Sequence, residues 1–119
     1  MAEIVTYNFP DHKRGDTFAG KQFTITVNGQ PCNLTGAKIL CQLKRNKDGA
    51  AEYEFTELAG ITITNIVGGV FEIDKIERFN PHPGTLYYDI ELELPFYGIV
   101  RTWIEGTWLI VNDTSRIDG

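Results

Sequence analysis

Residues 85–94 carry the sequence TLYYDIELEL, and residues 100–111 carry VRTWIEGTWLIV. In the first run, apolar side chains alternate with acidic or tyrosine side chains, which is the period-two pattern of a strand with one buried face. The second run alternates in the same way, with Gly106 interrupting the side chains. Pro95–Gly98 between them has the composition of a turn. The two runs therefore predict a long antiparallel hairpin and a β-rich fold.

The hairpin has one register that keeps a single face apolar. The expected cross-strand pairs are Leu94–Val100, Glu93–Arg101, Leu92–Thr102 and Ile90–Ile104. A slip of one residue would place Arg101 and Trp103 among the core leucines. In the expected register, Trp103 instead lies on the outer face, on the same side as Leu109 and Val111. We expect the segment Ile4–Phe9 to cover Leu109 and Val111.

The rest of the chain alternates short strand patterns with turn signals. Six further strands are predicted: Ile4–Phe9, Gln22–Asn28, Ala37–Arg45, Ala51–Thr56, Ile61–Ile66 and Val70–Ile73. Asp11–Asp16 is predicted to be a charged loop, and Asp74–Asn80 a short helical turn. The total of about seven or eight strands is typical of a β-sandwich, with a closed barrel as the alternative. Residues 1–119 are predicted to form one domain.

Composition narrows the possible partners. The 119 residues carry a formal charge of −5, which disfavours non-specific DNA or RNA binding because such binding needs clustered Lys and Arg. No apolar run approaches the roughly 20 residues that cross a bilayer. We therefore expect neither a nucleic-acid partner nor a membrane partner. No secretory signal is visible in the first residues.

Residue types that bind metals or react with substrates are sparse. Cys32 and Cys41 are the only cysteines, and both are expected to be free thiols, with Cys41 pointing into the core. His12 and His82 lack a second His or Cys at ligand spacing, so a solvated charged loop is favoured over a weak metal site at His12. We expect no metal and no cofactor.

An acidic row runs along the first strand of the hairpin. Asp89, Glu91 and Glu93 are two residues apart, so they share the exposed face of one strand, about 7 Å from each other. General acid/base catalysis needs one carboxyl group to be desolvated, and an open row provides no such asymmetry. The sequence also lacks a Gly-rich phosphate loop and a nucleophile with a plausible base. We therefore expect no catalytic residues and no enzyme.

Exposed aromatic side chains are the most suggestive feature for function. Trp103, Tyr87 and Tyr97 fall on the outer face or in the turn of the hairpin, with Arg101 and Glu91 beside Trp103. Such aromatics contact protein partners or sugars unless another segment covers them. These five residues form the candidate interface.

Several strand-and-turn motifs occur in an order that resembles the N-terminal β domain of tailed-phage baseplate proteins, as in the siphophage baseplate upper protein. The motifs are RGDTF (14–18), FTITVNGQP (23–31), NLTGAKI (33–39), QLKR (42–45), GVFEI (69–73), GTLYYDI (84–90) and VRTWIEG (100–106). The resemblance covers about residues 14–114.

The resemblance implies an immunoglobulin-like β-sandwich that works by assembly in the virion. Its partners would be other tail or baseplate subunits and further copies of itself, and the virion would be assembled in the bacterial host cytoplasm. The family has no catalytic residues to transfer. The alternative from a different class is a carbohydrate-binding module that recognises host-surface glycans through exposed aromatics. Such a module should place two or more aromatics on one surface beside polar side chains, whereas an assembly module should expose strand edges and a mixed apolar patch.

Overall fold

The computed structural model describes residues 5–112, and the regular structure in this range consists of β-strands. No helix within it is long and apolar enough to span a membrane. The strands are β1 (Val5–Thr6), β2 (Phe9–Lys13), β3 (Lys21–Thr24), β4 (Thr26–Val27), β5 (Gln30–Pro31), β6 (Lys38–Lys44), β7 (Ala51–Thr56), β8 (Ile61–Asn65), β9 (Val70–Ile73), β10 (Gly84–Leu94) and β11 (Ile99–Val111). These eleven segments exceed the predicted count because two of the predicted strands are interrupted and because β5 was not predicted.

Two sheets enclose the core. The six-stranded sheet has the order β1-β11-β10-β6-β7, and β2 pairs with the same β11 farther along the chain. The second sheet has the order β3-β9-β8, and β4 and β5 form a separate small hairpin. Buried side chains from both sheets join one cluster. The prediction of a β-sandwich is therefore confirmed, and the barrel alternative is wrong because β7 leaves the larger sheet open at one edge.

The hairpin of β10 and β11 is confirmed, and half of its register is as predicted. Ile90 pairs with Ile104, and the expected pairing continues to the base of the hairpin. Nearer the turn the register shifts by one residue, so that Leu92 faces Arg101 and Glu93 faces Val100. The predicted pairs Leu94–Val100, Leu92–Thr102 and Glu93–Arg101 are therefore wrong.

A β-bulge at Trp103 causes the shift. Ile90 is opposite Ile104 and Glu91 is opposite Thr102, which leaves Trp103 as the extra residue of β11. Trp103 and Ile104 are buried although they are consecutive in sequence, which strict alternation forbids and a bulge permits. Beyond the bulge Val100 turns outward and is 58% exposed.

The N-terminal segment forms an edge of the larger sheet. β1 runs parallel to β11 beside Ile104, and β2 runs parallel to it beyond Trp108. Residues 11–13, which were predicted to lie in a loop, belong to β2. The segment is hydrogen-bonded along β11 at the edge, so the prediction that it covers the face carrying Leu109 is wrong, and Leu109 is exposed. Ile4, the first residue of the predicted strand, lies outside the described range.

Gly106 permits this edge to form. The Tyr7 amide donates to the Glu105 carbonyl oxygen at 2.9 Å, and the Thr107 amide donates to Asn8 Oδ1 at 3.0 Å. A Cβ atom at position 106 would overlap the Tyr7 carbonyl oxygen. The glycine that interrupts the alternation of β11 is thus the place where the N-terminal segment comes closest to the sheet.

The predicted helical turn over 74–80 is wrong. Ile76 forms a β-bridge with Phe18, with backbone N···O distances of 2.8 and 2.9 Å. Asp74 accepts a hydrogen bond from Thr62 Oγ1 at 2.7 Å and caps no helix. Phe79 is buried in the core. Extended backbone satisfies this segment better than a short helix because it pairs with residues 16–18 and still inserts Phe79.

Trp108 is the centre of the aromatic core. Its ring stacks on Phe9 with centroids 4.0 Å apart and planes inclined by 15°. Phe18 and Phe79 each lie 4.8 Å from it, and the His12 ring lies 6.2 Å away. The last strand, the N-terminal strand and the 74–80 segment therefore meet at one side chain.

Gly106→Ala is expected to destabilise the protein by about 1–3 kcal/mol, because the new Cβ must displace the segment at Tyr7. Urea denaturation should show a lower midpoint for this variant. Gly49→Ala, in an open turn with ordinary contacts at the added Cβ, is the control and should change stability by less than about 0.5 kcal/mol. Equal midpoints for the two variants would contradict the close approach at Gly106.

Candidate functional site

Trp103 is enclosed within the chain and does not lie on an outer surface. Its side chain is 4% exposed and belongs to the core cluster. The Arg101 guanidinium lies 5.0 Å from the centroid of the indole ring, a distance at which the cation is attracted by the ring face. The indole Nε1 is buried without a hydrogen-bond partner. The prediction of an exposed Trp103 is wrong, because the bulge turns the ring inward.

The other residues of the candidate interface are spread over the hairpin. Tyr97 is half-buried in the turn, and its hydroxyl oxygen accepts a hydrogen bond from the Asn33 amide at 2.9 Å. Glu91 is exposed on β10. Tyr87 is half-buried near the base of β10, opposite Lys44 on one side and Thr107 on the other. The structure thus brings Arg101 and Trp103 together and leaves Tyr87 and Tyr97 at opposite ends of the hairpin.

His12 lies in the core and not in a solvated loop. Its side chain is buried at the end of β2, and Nε2 lies 2.7 Å from the Phe79 carbonyl oxygen. This bond ties β2 to the 74–80 segment, and the ring contacts Phe79 at 5.1 Å between centroids. His82 is exposed, as predicted. Within residues 5–112, no cluster of three His, Cys, Asp or Glu side chains could hold a metal ion.

The prediction of free cysteines is confirmed, and both thiols are buried. Burial raises the pKa of Cys41 above its ordinary value, and the negative charge of Asp89 raises it further. Burial also raises the pKa of Cys32, which a hydrogen bond with Tyr97 partly offsets. A raised pKa disfavours the reactive thiolate, which is consistent with a packing role.

A groove on the outer face of the larger sheet was not predicted from the sequence. It has a volume of about 270 Å³ and is lined by residues of β6, the turn after β6, β10, β11 and the N-terminal segment. We call it the tyrosine groove, after the half-buried Tyr87 in its floor. Its principal side chains are Asn8, Lys44, Lys47, Tyr87, Asp89 and Glu105. The alternation of side chains in β6 and β10 could have indicated that Lys44 lies beside Tyr87. The position of Asn8 at the sheet edge could not be predicted, because it depends on the close approach of the N-terminal segment at Gly106.

Five of the large exposed apolar side chains lie at or near the hairpin-turn end of the sandwich. We call this surface the apolar end: Leu58, Ile66, Val67, Phe96 and Val100. Residues 33–36 connect the two turns that carry most of it, because the Leu34 amide donates to the Ile66 carbonyl oxygen at 2.8 Å while Asn33 bonds Tyr97. Leu58 is 89% exposed and lines a hollow of about 280 Å³ together with Lys38 and Glu93.

No protein-family model matches the chain, and no curated protein matches it. Among solved structures it is similar to the ASH/PapD-like domain of human CEP192 (PapD-like domain 7). That likeness has a TM-score of 0.40 and 14% sequence identity, and it covers 93% of this chain and 84% of the other. A likeness this distant establishes neither family nor function.

Trp103→Ala is expected to lower the free energy of unfolding by about 3–5 kcal/mol, as for other buried aromatic side chains. Trp103→Phe should cost less, because it also removes the unpaired indole N–H. Chemical denaturation measures both changes. Val100→Ala on the same strand should change stability by less than about 0.5 kcal/mol. An unchanged midpoint for Trp103→Ala, with weakened association, would mean that Trp103 is an interface residue after all.

Stability is expected to fall as pH rises above about 9. Burial raises the pKa of the Cys41 thiol from its ordinary value of 9.0 and that of the Tyr88 hydroxyl from 10.0. Between the ordinary and raised values the unfolded chain has lost the proton and the folded chain retains it, so increasing pH favours unfolding. Each group should lower the free energy of unfolding by on the order of 1 kcal/mol per pH unit between its own ordinary and raised pKa values.

Urea midpoints between pH 8 and pH 11 test this pH dependence. Cys41→Ala should give a flatter decline above pH 9 than the unchanged protein, whatever its stability at pH 8. Thr85→Ala, on the exposed face of β10, should keep the original slope. A Cys41→Ala profile parallel to that of the unchanged protein would show that this thiol does not contribute.

Proposed function

We propose that this protein is a non-enzymatic structural component of a tailed-phage virion. In this proposal the β-sandwich docks other tail or baseplate subunits and further copies of itself, takes no cofactor, and contacts neither nucleic acid nor membrane. The proposal joins the resemblance to baseplate domains with one structural observation, the apolar end. The finer description of the fold as immunoglobulin-like belongs to the same proposal, and two packed sheets in a chain of this size support it.

The apolar end suits a protein–protein contact. Leu58 and Phe96 are 89% and 61% exposed, and neighbouring turns add Ile66 and Val67. Exposed apolar side chains gathered on one surface mark interaction sites more often than the same residues scattered singly. Burying a side chain such as Leu or Phe contributes about 1.5–3 kcal/mol, so a few of them would supply much of the free energy of a specific contact.

The open edge of the larger sheet is less suited to docking. β7 is the last strand at that edge, and Glu52 and Glu54 are exposed along it. Glu54 accepts a hydrogen bond from Gln42 at 2.6 Å, and Glu52 pairs with Arg45 at 3.0 Å. Charged side chains along an edge strand oppose the addition of a further strand. We therefore assign assembly to the apolar end.

In this proposal the apolar end, and not Trp103, is the centre of the interface. Tyr97 and Glu91 border the apolar end, since Tyr97 is in the same turn as Phe96 and Glu91 lines the hollow beside Leu58. Arg101 and Trp103 would support β11, the strand that follows this turn. The alternative of a carbohydrate-binding module built on Trp103, Tyr87 and Tyr97 is less well supported, because these three rings share no surface.

The double variant Leu58→Ser/Phe96→Ser is expected to weaken self-association without unfolding the chain, since both side chains are largely solvated in the monomer. Sedimentation velocity over a concentration series should show association of the unchanged protein and a shift toward monomer for the variant. Leu109→Ser is the matched control, because Leu109 is exposed on β11 away from the apolar end, and it should associate like the unchanged protein.

Two results would contradict the proposal. Association that persists in the double variant would remove the apolar end as the contact. Mass spectrometry of purified phage particles from the source strain should detect the chain at structural copy numbers, and its consistent absence would argue against a virion component.

A further inference from the structure

The tyrosine groove is built from two rows of outward side chains on neighbouring strands. The first row contains Lys44, Tyr87 and Thr107, which are cross-strand neighbours. The second row contains Gln42, Asp89 and Glu105 in the same strand order. The N-terminal segment closes the groove at the sheet edge, where Asn8 Oδ1 accepts hydrogen bonds from the Thr107 amide and hydroxyl at 3.0 and 3.2 Å. The result is a concave surface with a rigid strand floor.

Several polar groups in the groove are not used by the fold. Among residues 5–112, the side chains of Asp89 and Glu105 make no hydrogen bond or ion pair, although the two residues are directly opposite each other. The Tyr87 hydroxyl also has no partner in that range. Like charges directly opposite on neighbouring strands are destabilising. Uncommitted acceptors at such positions are available to a ligand.

The charges of the groove indicate what kind of ligand it would take. Two ammonium groups, of Lys44 and Lys47, offset two carboxylates, of Asp89 and Glu105, so the formal charge of these four side chains is zero. A cation would meet the lysines, and an anion would meet the carboxylates. An uncharged molecule with many hydroxyl groups can accept hydrogen bonds from the lysines and donate them to the carboxylates.

Tyr87 supplies the aromatic surface for such a ligand. Its ring is half-buried in the floor, and the ammonium of the exposed Lys47 side chain lies over the ring, 5.4 Å from the centroid. A ligand that stacks on this face of the ring displaces the Lys47 side chain. The apolar C–H face of a sugar ring can lie on an aromatic ring while its hydroxyl groups reach the polar side chains around it. We propose that the tyrosine groove binds a short segment of an uncharged glycan, with Tyr87 as the stacking residue and Asp89 and Glu105 as hydroxyl acceptors.

This site is independent of assembly. Tyr87 lies near the base of β10, whereas the apolar end lies at the turn beyond Leu94. The volume of about 270 Å³ is just below the range of about 300–1,000 Å³ typical of small-molecule sites. A groove of this size accommodates one or two sugar rings, so the ligand would be a terminal residue or a short stretch of a longer chain.

An array of neutral oligosaccharides, with uronic-acid and sialylated oligosaccharides as comparators, tests the site. The intact protein should bind one or more of the neutral oligosaccharides and should bind no charged comparator more tightly than these. Titration of the best neutral member into isotope-labelled protein should shift the amide resonances of Tyr87, Asp89 and Glu105 in NMR spectra. Tyr87→Ala should weaken this binding by about tenfold or more, while Tyr87→Phe should retain it because the stacking surface remains.

Thr85→Ala is the matched control on the same face of β10 and should bind like the unchanged protein. Should Tyr87→Ala fail to fold, Glu105→Ala at an exposed position provides the second variant and should also weaken binding. The proposal is wrong if no neutral oligosaccharide binds, if charged comparators are preferred, or if the shifts map outside the groove. Normal sedimentation of Tyr87→Ala would show that a loss of glycan binding does not arise from a loss of assembly.

Discussion

The stacking of Phe9 on Trp108 is the contact on which the rest of the structure depends. Trp108 belongs to the last strand and Phe9 to β2, so their 4.0 Å stack joins the two ends of the described chain. Phe18 and Phe79 pack on the same indole, and this position requires their segments to run extended across the core. The bond between His12 and the Phe79 carbonyl then closes the same end of the sandwich. Packing on Trp108 therefore explains why the irregular segments that carry Phe18 and Phe79 hold fixed positions in the sandwich.

Period-two patterning was sufficient to predict the β-sandwich, the two hairpin strands and the turn between them. It failed where the structure departs from strict alternation. At Trp103 the bulge turns one side chain toward the core. The alternation of apolar and polar residues in a sequence does not reveal where such an extra residue is inserted. Asp74–Asn80 has apolar residues at helical spacing, but the pairing of Ile76 with Phe18 overrides that local preference. The charged neighbours of His12 predict a loop, whereas its burial depends on a contact with a residue 67 positions away.

The candidate site was less predictable than the fold. The sequence placed Tyr87 and Glu91 on the outer face, and both lie there. It could not place Leu58 beside Glu93 or Asn8 beside Thr107, because these neighbours come together through the chain path and not through spacing. The apolar end gathers residues from separate turns, and the tyrosine groove gathers residues from five segments. Each surface exists only when the complete sandwich has formed, so motif spacing carries little information about either.

The parallel pairing of the N-terminal segment with β11 also has a consequence for biosynthesis. Asn8 and Thr107 are hydrogen-bonded across 99 residues of chain, so this edge cannot form until residue 107 has left the ribosome. Pairings so distant in sequence give a high contact order and slow folding. During translation, Phe9 stays uncovered by its stacking partner until Trp108 has been synthesised. β1 and β2 are synthesised before β11, but they can join the larger sheet only after β11 has been synthesised.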